Sequence, residues 1–79
     1  MSNLDAKKVE SIQQEISLGI DNMLTNYLKT YEQKFSCKEE EVAKACHLLR
    51  QKYSNKVSID YQRPSKDPSY LIEVENQSL

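Results

Sequence analysis

The sequence predicts an α+β fold: a long helix, a second antiparallel helix, then a C-terminal β-hairpin packed on the helices. Three observations carry this. Residues 3–53 contain no proline and one glycine, Gly19, which leaves helical periodicity unbroken. Within that stretch apolar residues recur every three or four positions. After Ser54-Asn55 the period changes to two, and both prolines lie between the two alternating runs.

The first helix is read over residues 5–34, with Ser2 or Asn3 as its cap and Asp5 near the positive end of its dipole. Val9, Ile12, Ile16, Ile20, Met23, Tyr27 and Tyr31 form its apolar stripe, and Leu24, Leu28 and Phe35 widen it. The stripe repeats every 11 residues, the signature of a nearly straight helix rather than a leucine zipper. Leu18 lies off the stripe and hints at a second contact surface. Thirty residues at 1.5 Å each give a rod of about 45 Å, longer than so small a domain is wide, so part of it needs another surface to cover it. Gly19 is the one point where the rod could break into two.

Ser36-Cys37-Lys38-Glu39 matches a capping box and opens a second helix over residues 37–53. Val42, Cys46, Leu49 and Tyr53 form its stripe, with Ala43 and Ala45 permitting close packing. Glu39, Glu40 and Glu41 suit its first turn, and Arg50 and Lys52 its last. The short joint predicts an antiparallel helix hairpin or a bent pair. Strands follow at about 56–62 and 70–75. Val57, Ile59 and Tyr61 alternate with Ser58, Asp60 and Gln62, and Tyr70, Ile72 and Val74 with Leu71, Glu73 and Glu75. Residues 63–69 supply a proline-stiffened turn, and 76–79 read as a tail. The order helix, helix, strands resembles the layout of a dynein light chain. The likeness is confined to layout; no motif accompanies it, and it brings no function.

The chain of 79 residues and 9.2 kDa has room for one domain, 1–79. Eleven basic residues face twelve acidic ones, for a net charge of −1, unlike a chain built to coat nucleic acid. Mean hydropathy is −0.76, no apolar run approaches a membrane span, and the polar start does not read as a secretory signal. With two cysteines, these features predict free thiols in an intracellular protein, cytoplasmic or nuclear.

Chemistry is sparse. Cys46 and His47 are helix neighbours about 100° apart, so they do not face one another as nucleophile and base. Cys37, Cys46 and His47 lack the paired spacing of a zinc site. One glycine rules out a phosphate-cradling loop. Asn76-Gln77-Ser78 matches a glycosylation acceptor, a pattern without meaning in an intracellular chain. The expectation is a protein without enzymatic activity, cofactor or metal.

Two surfaces remain. Tyr27, Tyr31 and Phe35 cluster at the end of the expected first helix, where aromatic residues suit an interface. Leu71 adds an apolar side chain on the polar face of the last strand. These four are the candidate partner-binding residues of a small regulator, adaptor or inhibitor of a larger protein. Self-association as a homodimer through helix one is expected alongside it. The alternative lies in the charge distribution. Residues 1–44 carry net −2, 45–66 net +4 and 67–79 net −3. Arg50, Lys52, Lys56, Arg63 and Lys66, interleaved with Tyr53 and Tyr61, could engage single-stranded nucleic acid. A structural subunit of a larger assembly is the third reading. No membrane partner is expected.

Overall fold

The computed structural model describes residues 5–79, so the expected caps Ser2 and Asn3 lie outside it. Asp5 caps the first helix itself. Its Oδ1 accepts the backbone N–H groups of Lys7 at 3.0 Å and Lys8 at 3.3 Å, satisfying two donors that the first turn leaves open. Helix α1 runs over Ala6–Thr25 and buries Val9, Ile12, Ile16, Ile20 and Met23. It passes through Gly19 without a break.

Helix α1 ends well short of residue 34. Asn26 caps it, and Tyr27 turns the chain with φ 57°. The Tyr27 N–H donates to the Leu24 carbonyl at 3.4 Å, and the Leu28 N–H to the Met23 carbonyl at 2.9 Å. That pair of bonds is a Schellman motif, which closes the helix by satisfying its last carbonyls. Residues Thr30–Ser36 then form strand β1. The segment read as the end of a long helix is therefore a strand. Thr30, Tyr31 and Phe35 favour extended backbone, and pairing with β3 lets Phe35 enter the core and Tyr31 pack against it, side chains that a projecting helix would have exposed to water.

Helix α2 runs over Glu39–Tyr53, a 3₁₀ turn over Ser54–Lys56, and strands β2 and β3 over Val57–Gln62 and Ser69–Asn76. The sheet order is β1-β3-β2, antiparallel throughout. The fold is α+β, with the predicted C-terminal hairpin packed on two helices and a third strand added on the far side of β3.

That added strand changes the helix pairing. It carries the chain back to its starting level, so α2 runs in the same sense as α1 rather than antiparallel to it. Glu41, in the first turn of α2, accepts the Asp5 N–H at the start of α1 (3.3 Å) and the Lys38 N–H (2.9 Å). One buried carboxylate thus ties together two helix N-termini, where negative charge is favoured. At the other end, the Tyr53 hydroxyl donates to Asp21 Oδ1 at 3.0 Å. The expected Ser36 capping box is displaced: Ser36 ends β1, and Glu41 closes on Lys38 instead.

The helices cover one face of the sheet. Phe35, Val57, Ile59, Ile72 and Val74 from the strands meet the α1 stripe and Val42, Ala45, Cys46, Leu49 and Tyr53 of α2. The α1 stripe that was expected to need outside cover is covered by the chain's own sheet. The opposite sheet face is polar and open, with Glu32, Asp60, Glu73 and Glu75 exposed on it. Asn76, expected in the tail, is the buried last residue of β3.

Candidate functional site

Leu18, off the buried stripe of α1, is 72% exposed, and a second group that packing does not explain lies at the α1–β1 turn. Tyr27 is 80% exposed and Leu28 46% exposed. Tyr27 also occupies the position after the helix cap, where a left-handed backbone is needed and glycine is favoured. A residue with a Cβ is strained there by about 1–2 kcal/mol. The turn is nonetheless held firmly. Besides the two Schellman bonds, Asn76 Nδ2 donates to the Leu28 carbonyl at 2.9 Å, and the Asn76 N–H to the Lys29 carbonyl at 2.8 Å. Asn26 Nδ2 donates to Asn22 Oδ1 at 2.8 Å on the helix side. The aromatic ring is therefore displayed on a pinned backbone.

The other sequence-predicted partner-binding residues do not gather around it. Tyr31, on β1, lays its ring against Gly19 of α1: a Cβ at position 19 would clash with the ring, nearest its Cζ. The only glycine of the chain is thus the seat of Tyr31. The Tyr31 hydroxyl donates to Gln33, whose Nε2 donates to Glu15 at 2.8 Å. Partial burial, with the Glu15 carboxylate nearby, pushes the phenol above its ordinary value of 10.0. Phe35 is 7% exposed and belongs to the core. Leu71 lies on the open sheet face between Lys34 and Gln62, half-buried. Tyr27 alone of the four is a free aromatic surface.

The basic set is dispersed. Arg50 Nε donates to the Ile59 carbonyl at 2.8 Å. Lys52 reaches Ser17 at 3.3 Å and lies over the Tyr53 ring, 5.3 Å from its centroid. Arg63 holds the hairpin turn by donating to the Asp67 carbonyl at 3.2 Å and the Lys66 carbonyl at 2.6 Å. Lys56 precedes β2 and Arg63 follows it, so the length of that strand, about 20 Å, separates them. Tyr53 is buried, and Tyr61 makes an edge-on contact with Tyr70, ring centroids 6.1 Å apart. No continuous basic and aromatic strip results.

The thiols are placed for packing. Cys46 is buried among apolar residues, and burial pushes its thiol up to about 11. Burial and the Glu41 carboxylate push Cys37 up as well. Neither is poised as a thiolate at neutral pH. Among the described residues no group of three or more His, Cys, Asp or Glu side chains is arranged to hold a metal ion. Among them too, no helix is long and apolar enough to cross a membrane. Asn76 spends both ends of its amide internally, its Oδ1 accepting the Ser78 N–H at 2.8 Å, so the acceptor-like Asn76-Gln77-Ser78 has no free amide to offer.

Sequence reasoning singled out Tyr27 but missed Leu28 as its neighbour and Asn76 as its brace. Asn26 followed by aromatic, Thr-containing alternation was the available signal for a cap and a strand. No family model matches the chain, and no curated protein or solved structure is significantly similar to it.

Proposed function

We propose that this protein is a small non-enzymatic protein-binding module, a regulator, adaptor or inhibitor of a larger protein, that docks through the turn bearing Tyr27 and Leu28. The observation that supports the reading is the exposed tyrosine held at φ 57° on a braced backbone. The turn needs a left-handed residue, which glycine would supply without strain, and a bulky exposed side chain kept there at a cost points to a role outside the fold. A rigidly presented aromatic side chain loses little freedom on docking, which suits an interface anchor. The dispersal of the basic residues favours this surface over nucleic-acid binding.

The test uses Tyr27→Gly, which removes the ring and keeps the backbone conformation. Tagged wild-type and variant chains are compared for capture of a discrete protein from a native-host lysate, with and without nuclease. The expected result is one protein retained by the wild type after nuclease and lost with Tyr27→Gly. Equal capture by both removes Tyr27 from the interface. Capture that vanishes with nuclease sinks the protein-binding reading.

A further inference from the structure

The two edges of the sheet are treated differently. On β2, the Gln77 N–H bond to the Lys56 carbonyl (2.9 Å) sets the alternation, so Val57, Ile59 and Tyr61 turn their backbone groups outward. Arg50 lies across the middle of that edge, its Nε on the Ile59 carbonyl at 2.8 Å and its Nη2 3.8 Å from Asp60. On β1, the Cys37 N–H bond to Pro68 (3.1 Å) and the Asn76 N–H bond to Lys29 (2.8 Å) set the alternation. Thr30, Glu32, Lys34 and Ser36 therefore point their N–H and C=O groups away from β3. No hydrogen bond from the described residues reaches them. The strand is seven residues long and has neither proline nor glycine.

We propose that β1 pairs antiparallel with β1 of a second copy, about a two-fold axis at Gln33. The register follows from charge. Outward backbone groups must meet, so even-numbered residues face even-numbered residues. Centring on Glu32 sets that carboxylate against its own copy, and centring on Lys34 does the same with two ammonium groups. Both are unfavourable. Centring on Gln33 pairs Thr30 with Ser36, Tyr31 with Phe35 and Glu32 with Lys34, and overlaps all seven residues. The open sheet face adds a second reason. Asp60, Glu73 and Glu32 lie directly opposite one another across β2, β3 and β1, three carboxylates in one row. The second copy places a lysine at the end of that row. The product is a six-stranded sheet with all four helices on one face. This pairing leaves Tyr27 outside the joined segment and does not depend on its role.

Sedimentation equilibrium of the full chain over a wide concentration range is the test. A dimer of the 9.2 kDa chain is expected. Lys34→Glu is expected to weaken it by roughly tenfold or more, because both attractive pairs become repulsive. Glu32→Lys combined with Lys34→Glu is expected to restore it, which separates charge from misfolding. Gln33→Cys, in a Cys37→Ser background, is expected to form an intermolecular disulfide, since the residues on the axis approach to about 4.5 Å between Cα atoms. A monomer at every concentration overturns the proposal and leaves the open edge to a strand of another protein. A dimer indifferent to Lys34→Glu, or not restored by the exchange, also overturns it.

Discussion

Replacing Tyr27 by glycine and, separately, by alanine isolates the strain at the α1–β1 turn. Both changes remove the same ring, which is 80% exposed, so the small burial lost is common to the two. They differ in backbone preference alone. Alanine keeps the Cβ clash at φ 57°, whereas glycine has none. The left-handed conformation costs a Cβ-bearing residue about 1–2 kcal/mol, and the greater freedom of glycine in the unfolded chain offsets part of that. Tyr27→Gly is therefore expected to be about 1 kcal/mol more stable than Tyr27→Ala. For a domain of this size that is about 4–8 °C in Tm. Asparagine, which tolerates the region better than alanine, should fall between them. Thermal and urea unfolding followed by circular dichroism provide the comparison. If Tyr27→Ala equals or exceeds Tyr27→Gly in stability, the turn is not left-handed, and the argument that its ring is displayed against a conformational cost fails.

Gly19→Ala, which would stabilise an open helix by about 1 kcal/mol, is expected to destabilise this one by displacing Tyr31. In a Tyr31→Ala background the same change should become stabilising, and urea unfolding of the four proteins reads the reversal as a double-mutant cycle. Asn76→Ala strips the Leu28 carbonyl and the Ser78 N–H of their partners and is expected to cost about 1–3 kcal/mol in urea unfolding. Cys46 has a folded value raised above its ordinary 9.0 to about 11. The fold favours the protonated thiol, so its contribution is complete below pH 9 and is lost as pH rises towards 11. Over that window the loss is on the order of 2 kcal/mol. Cys46→Ala is less stable at neutral pH but should lose less between pH 9 and 11; equal losses in the two proteins refute the assignment.

The parts of the fold that were legible are those whose signals are local and unambiguous. Val42, Cys46, Leu49 and Tyr53 carry a helical period that admits no strand, and all four are buried. Val57 and Ile59, with Ile72 and Val74, alternate on either side of a turn holding both prolines, and they pair in the expected hairpin. The sense of α2 was not legible, because it depends on whether a strand intervenes before it. The role of Gly19 was hidden for a related reason. Helix propensity marks a glycine as a weak point, yet here its missing Cβ is filled by a ring from a different element.

The segment from Tyr27 to Phe35 shows why the candidate site was only partly readable. Tyr27, Tyr31 and Phe35 are spaced by four, and four residues return a side chain to the same face in a strand as well as nearly so in a helix. The spacing alone therefore cannot distinguish the two. Continuing the 3.6-residue period from Met23 made a long helix look natural. The decision is made elsewhere in the chain: β3 offers a partner for every residue from Thr30 to Ser36, and Asn76, almost fifty residues beyond Leu28, fixes the turn. Once β1 exists, the three aromatic residues separate. Phe35 enters the core, Tyr31 settles on Gly19, and Tyr27 is left on the turn facing solvent. The same pairing creates the unoccupied β1 edge. The strain at Tyr27 and the self-complementary edge thus have one origin, the conversion of a helical pattern into a strand by contacts distant in sequence. A variant that prevents β1 from forming should abolish both surfaces together.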